Sequence, residues 1–141
     1  TCLLALDTYV ELYKGGIIPL EVYKDMDYDT DVLVRIIIKK DKRRVSYLTM
    51  RNSATDIPTL AIAVSKKNLT WNVVIGARPQ RAILIDGTEF LSDIPTEEEK
   101  NNLISHIVNN VKFQSNMRAS MEYRVLLAKT LVLRAINETL S

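Results

Sequence analysis

Phe113-Gln114-Ser115-Asn116-Met117-Arg118-Ala119-Ser120-Met121-Glu122-Tyr123-Arg124 opens the longest helical pattern in this sequence, and the fold follows from what that helix has to bury. From Ser120 to about Glu138 there is neither proline nor glycine. Apolar residues return at Met121, Val125, Ala128, Val132 and Ala135, with Leu127, Leu131 and Ile136 beside them. Spacing by three and four makes one broad buried face. Arg118, Arg124, Lys129 and Arg134 punctuate it. A helix this apolar does not stand alone in water, so upstream residues must cover it. Ser120 is placed to cap it, and Arg118 to reach carbonyls or a nearby carboxylate. Tyr123 offers an apolar ring with a polar tip, suited to a wall between domains. With no general base close in sequence, this segment reads as a fixed helix entry rather than a catalytic site.

A second helix precedes it. Pro95-Thr96-Glu97-Glu98-Glu99 is a helix start, with Thr96 as N-cap, Glu99 closing a capping box and three carboxylates at the positive end of the dipole. Leu103, Ile104, Ile107, Val108 and Val111 supply its buried stripe. His106 sits beside polar Ser105 and Asn109, which predicts an exposed histidine rather than a ligand.

Farther upstream the pattern is β-rich. Asp31 to Lys40 places Val32, Val34, Ile36 and Ile38 on one face of a strand. Val45–Met50 is a second strand, and the charged link 41–44 predicts a hairpin between them. The cluster Lys39, Lys40, Lys42, Arg43 and Arg44 then reads as its solvated tip; without interleaved aromatics it makes a poor single-strand nucleic-acid surface. Leu60–Val64 and Leu69–Gly76 flank Lys66-Lys67-Asn68 as another hairpin, with Trp71 and Val73 on one face and Val74 on the other. Residues 81–85 are apolar enough for a strand or the start of a helix, and length does not separate the two. Residues 3–13 read as a short helix, with Asp7 near its start and Gly15-Gly16 ending it. Pro19 and the acidic cluster Asp25, Asp27, Asp29 and Asp31 read as a loop or edge segment. A solvated turn is the better reading than a calcium loop, whose glycine and final glutamate are missing.

Strands first and helices last predicts an α+β fold: an antiparallel sheet of three to four strands with helices packed on one face. At 141 residues, residues 1–141 read as a single domain. Since no initiator methionine is present, we expect it to be a C-terminal fragment of a longer chain. Apolar and charged fractions of 47% and 26% are ordinary for a soluble globular domain. A net charge of +2 is too small to argue for nucleic acid. One cysteine and one histidine exclude a disulfide framework, a multi-cysteine or His-based metal site and, in practice, a Ser-His-Asp triad. No apolar run is long enough for a membrane span, and the start has no signal-peptide pattern.

Three stretches carry a family resemblance. The pattern of Arg118, Ser120, Tyr123 and Arg124 opening a long apolar helix resembles the end of the FAD-binding subunit of molybdenum hydroxylases. That family includes the medium subunit of carbon monoxide dehydrogenase and the flavin subunit of xanthine dehydrogenase. Tyr47-Leu48-Thr49-Met50-Arg51-Asn52-Ser53-Ala54-Thr55-Asp56-Ile57-Pro58 is similar to the family's strand and loop beside the flavin edge, with Arg51 and Asp56 on the pattern. Thr49 stands where many members have lysine, and Pro58 where alanine is usual. The third, Val73 to Ala82, is similar to the family's strand ending in glycine, here Gly76, followed by a turn containing Pro79. It lacks the glycine spacing of a phosphate cradle and reads first as a packing turn. Arg78 and Arg81 remain free, on this reading, to touch a partner subunit or FAD phosphates from outside.

The resemblance spans about Leu6 to Leu140 and implies the following. The chain would be the C-terminal domain of an FAD-binding subunit, covering the flavin and docking partner domains. Electrons would pass from a molybdopterin centre through [2Fe-2S] clusters to FAD and on to an acceptor, in a xanthine dehydrogenase-like, cytoplasmic oxidoreductase. Its partners would be the N-terminal FAD-binding domain and the iron–sulfur and molybdopterin subunits, with no nucleic acid or membrane. Gly-rich segments that grip FAD lie N-terminal to this domain in the family and are absent here, so the isolated domain should neither retain FAD nor turn over. Arg51 and Asp56 are its candidate cofactor-side residues. Arg51 is suited to stabilising negative charge on a reduced ring. Asp56 fits either that loop role or capping of its own turn. We expect no catalytic residue and no metal ligand within the chain. Periodicity alone supports a free-standing α+β protein-interaction domain equally well. An RNA-binding α+β module ranks last, since Tyr47 and Trp71 are the only strand aromatics.

Overall fold

The computed structural model describes residues 1–27 and 30–141. Its elements run α1 (Cys2–Ala5), β1 (Tyr9–Leu12), β2 (Gly16–Pro19), α2 (Leu20–Tyr23), β3 (Leu33–Ile37), β4 (Arg44–Met50), β5 (Leu60–Lys67), β6 (Thr70–Gly76), β7 (Ile83–Asp86), α3 (Glu97–Asn110) and α4 (Met121–Leu140). Two antiparallel sheets result. One has the order β2-β1-β3 and the other β4-β5-β6-β7. Helices α3 and α4 lie on one face of the four-stranded sheet. Leu60, Ile62, Val64, Trp71, Val73, Ile75 and Ile85 meet Leu103, Ile107, Leu131, Val132, Ala135 and Ile136 there. The opposite face, with Ala63 and Val74, is covered by Leu4 and Ala5 of α1. Coverage on both faces explains why β5 and β6 are nearly continuous apolar runs.

The expected α+β architecture is present, as are the 60–76 hairpin and its facing. The ambiguous run at 81–85 is strand β7, pairing Ile85 with Val73. The Thr96 capping box forms: Glu99 N–H donates to Thr96 Oγ1 at 3.2 Å, and Thr96 N–H to Glu99 Oε2 at 2.7 Å. Buried Lys100 then ties α3 to α4, donating to Glu97 at 2.7 Å and Asn137 Oδ1 at 2.8 Å.

Residues 3–13 depart from expectation. The helix stops at Ala5, Asp7 takes φ 48°, and Tyr9–Leu12 is a strand. A period-two alternation wins there, because Val10 and Leu12 are buried while Tyr9 and Glu11 are half-buried. The two glycines turn a hairpin instead of ending a helix, and Gly16 starts β2 at φ 68°, a conformation glycine adopts without strain. Within the acidic stretch Asp31 accepts the N–H groups of Lys14 and Gly15 at 3.0 and 2.8 Å, fastening that turn. Asp29 lies outside the described residues.

The first expected hairpin is also not formed. β3 pairs with β1, Tyr9 opposite Ile37, whereas β4 pairs with β5. An Arg35–Glu11 ion pair and Lys39 lying 4.4 Å over the Tyr9 ring hold β3 to β1. Residues 38–43 therefore cross between sheets. Arg43 is no solvated tip residue: its side chain is 7% exposed, pairs with Asp7 and Asp41, and donates to the Ala5 carbonyl at 2.9 Å. Along β3 the expected face exists but is uncovered, with Val34 53% and Ile36 48% exposed.

Candidate functional site

The three motif stretches converge on the connector between α3 and α4, residues 111–120. Arg124 organises it. The residue is 1% exposed, and four of its five N–H donors find an oxygen. Nε donates to Thr59 O at 3.0 Å; Nη1 to Gln114 O at 2.6 Å and Ala119 O at 2.7 Å; Nη2 to Asn116 Oδ1 at 2.6 Å. Guanidinium geometry suits this, because one rigid planar fork satisfies several carbonyls of a non-helical segment at once. Burial pushes its pKa down from the ordinary arginine value, without making an uncharged arginine plausible.

Asn116 through Ala119 form a tight turn, with Asn116 N–H donating to Ala119 O at 3.0 Å and Arg118 N–H to Asn116 Oδ1 at 3.0 Å. Met117 at its tip is 99% exposed. Ser120 caps α4 as expected, accepting from Tyr123 N–H at 3.2 Å, and Ser115 Oγ accepts from Met121 N–H at 2.8 Å.

From this turn Arg118 reaches back to the β4–β5 loop, residues 51–59, and donates to Asp56 Oδ1 at 2.6 Å. Asp56 Oδ1 also accepts the Ile57 N–H at 2.7 Å, so the carboxylate caps its own loop and pairs with the connector. The Arg118 hydrogen bond first, then the Ile57 N–H and the charges of Arg118 and Arg51, hold its carboxyl below the usual aspartate range. A depressed folded-state pKa contributes stability that is present above the unfolded value and lost as pH falls through the folded one. The latch should therefore be indifferent to pH near neutrality and open only on acidification below the ordinary aspartate pKa. A carboxyl carbon-13 NMR titration of Asp56 checks this; a midpoint at or above the free-aspartate value contradicts it.

Arg51, the other candidate, is exposed, and among the described residues it donates only to Thr49 Oγ1, at 3.2 Å. The structure thus gives Asp56 an internal partner and leaves Arg51 as the loop's outward cation. Arg78 is not available to an outside partner as expected: it is 9% exposed, donates to Lys112 O at 2.7 Å and bonds Gln80. Arg81 does stay exposed, 4.0 Å from Asp25. Gly76 is explained by close approach, since a Cβ there would lie 1.8 Å from Thr1 Oγ1. His106 is exposed and its ring packs on Phe90, centroids 4.7 Å apart. Sequence reasoning treated Arg124 as punctuation. Its position four residues before Ala128 and seven before Leu131 was the signal that it lies on the buried stripe.

The family model for the CO dehydrogenase flavoprotein C-terminal domain matches residues 45–139, from β4 to the end of α4. The chain belongs to that family. Its loop at 51–59, its connector and Arg124 all fall inside the match, while the three-stranded sheet precedes it. Among solved structures, quinoline 2-oxidoreductase from Pseudomonas putida 86 superposes with a TM-score of 0.82 at 18% identity, covering 98% of this chain and 54% of that one. Carbon monoxide dehydrogenase from Hydrogenophaga pseudoflava, in a form lacking the Mo-pyranopterin moiety of the molybdenum cofactor, gives 0.77 at 17% identity, covering 96% and 53%. Reconstituted CO dehydrogenase from Oligotropha carboxidovorans gives 0.76 at 15% identity, covering 97% and 54%. These likenesses establish a shared fold, and the chain spans about half the length of each of those structures. No curated protein matches by sequence.

The arginines nearest the motif stretches are mostly committed to the protein itself. Arg78, Arg118 and Arg124 are engaged inside the chain, and the described residues offer no Gly-rich phosphate cradle. What remains outward is the 51–55 arm with Arg51, beside exposed Ile57 and Met117.

Proposed function

We propose that this chain is the flavin-covering, C-terminal part of an FAD-binding subunit in a molybdopterin-dependent oxidoreductase. There it closes over the flavin and docks partner domains while electrons pass from [2Fe-2S] clusters to FAD and on to an acceptor. The observation that carries this reading is the family match across 45–139, which takes in the β4–β5 loop and the connector that holds it. In this role Arg51 and Asp56 serve different ends. Arg51 presents a cation toward the flavin edge, and bound FAD would supply the two-electron chemistry there. Asp56 holds the loop. The chain alone has no turnover and does not retain FAD.

Uncovered apolar surface on β3 supports a partner of the same subunit. Val34 and Ile36, with Val32 at 63% and Ile38 at 47% exposure beside them, make a row too apolar to remain in water. β3 is also an edge strand with unpaired backbone groups. We assign this face to the N-terminal FAD-binding domain. Among the described residues no helix is long and apolar enough to cross a membrane, and the reading places the complex in the cytoplasm.

The test is the visible absorption spectrum of the uninterrupted gene product, taken after gel filtration. A two-banded flavin spectrum that stays with the protein is expected, together with slowed amide exchange in 32–38 relative to residues 1–141 alone. Absence of flavin even after added FAD overturns the reading in favour of a free-standing interaction domain.

A further inference from the structure

We propose that Arg124 is a positioning residue for the β4–β5 loop, setting the place of the flavin-side wall from helix α4. This rests on the flavin-covering reading above. The loop divides into two halves. Its base is closed by Thr59 N–H donating to Met50 O at 2.7 Å, and Arg124 Nε holds the Thr59 carbonyl at 3.0 Å. Midway, Asp56 is tied to Arg118, on the turn whose Ala119 carbonyl and Asn116 side chain Arg124 also holds. One buried guanidinium thus governs the anchored half, 56–59, through both of its attachments. The other half, 51–55, is exposed throughout, and among the described residues its one side-chain hydrogen bond is Arg51 to Thr49. An arm built this way has its root fixed by the core, while its tip is free to differ in sequence without moving the root.

Physical reasoning favours a defined position over a floating loop. Moving the root away from Arg124 would strand the buried Thr59 carbonyl and the guanidinium Nε–H that it accepts from, a cost that favours the observed position. Access to whatever lies against the loop is then set by rigid geometry, and misplacement of a reacting partner by about 1 Å can cost on the order of a hundredfold in rate.

The test uses the uninterrupted gene product with Arg118→Gln, Arg118→Lys and Arg124→Lys. Arg118→Gln cuts the midway attachment without entering the core. Arg118→Lys keeps a cationic donor for Asp56. Arg124→Lys keeps the charge but cannot span four acceptors. Hydrogen exchange is read first, comparing 51–58 with the 60–76 hairpin. Exchange in the loop should rise about tenfold or more in Arg118→Gln and Arg124→Lys, with the hairpin unchanged and Arg118→Lys largely restoring protection. The second readout reduces the flavin anaerobically with dithionite and follows reoxidation by dichlorophenolindophenol. The dye concentration for half-maximal rate should shift about tenfold in the same two variants, at unchanged FAD content. A merely structural role would lower thermal stability and FAD content but leave that concentration alone. Wild-type loop exchange in both folded variants overturns the positioning role whether or not flavin is present. A wild-type product with no flavin instead sinks the functional reading and leaves the exchange result to decide this one.

Discussion

Arg124→Met is expected to destabilise the fold by about 3–5 kcal/mol, a large part of the stability of a typical domain. Methionine fills much of the same volume and removes the charge, so the cost is concentrated in the oxygens left behind. Thr59 O loses its donor in a buried site and Gln114 O in a half-buried one, while Ala119 O keeps the Asn116 N–H at 3.0 Å. A buried acceptor without a partner costs about 1–3 kcal/mol. Two such groups, together with the lost charged hydrogen bonds, set the scale, and partial relaxation of the connector reduces the sum. Urea unfolding followed by circular dichroism measures it. A loss below about 1 kcal/mol would show that the connector finds water when the guanidinium is gone, and that the segment is held by its own turn.

Trp71→Ala is expected to cost about as much, 3–5 kcal/mol on the scale of buried aromatic truncations, but for a different reason. Trp71 is fully buried on β6 under α3 and α4, and its indole Nε1 donates to Ser92 O at 3.0 Å. Gly87 approaches it so closely that a Cβ there would sit 3.2 Å from the Trp71 Cβ. The truncation opens a cavity that α3, fixed at its start by the Thr96 cap, cannot collapse into. Trp71→Phe separates the contributions: it keeps most of the apolar contact and strands only the Ser92 carbonyl, so about 1–3 kcal/mol is expected. Because this is the only tryptophan, unfolding must be followed by far-ultraviolet circular dichroism rather than fluorescence. Equal losses in the two variants would place the energy in the hydrogen bond and not in packing.

The two residues also differ in how far the sequence announced them. Trp71 could be placed on a face of a strand beside Val73, because period two within a hairpin leaves no other arrangement. Which face the helices cover, and so its burial, came only from the packing of α3 and α4. Arg124 offered two conflicting signals: its spacing put it on the buried stripe of α4, and its charge argued for solvent. The conflict resolves only when a non-helical connector supplies oxygens in the right directions, and none of those partners lies nearer than five residues along the chain. Asp56 shows the same limit. Its capping of Ile57 was legible from local chemistry, whereas the ion pair with Arg118 closes a separation of 62 residues.

By itself the sequence determined helices α3 and α4 with their caps, the 60–76 hairpin with its two faces, and membership of the family, because each rests on periodicity or chemistry within a short window. Tertiary structure alone decided which strands pair and which charges are buried. β3 is drawn to β1 rather than β4, Arg43 and Arg78 turn inward, and the first thirteen residues leave the helix after Ala5. The physical reason is that strand pairing and the satisfaction of buried charge depend on backbone groups brought together from distant segments. Those groups become neighbours only once the chain has closed on itself.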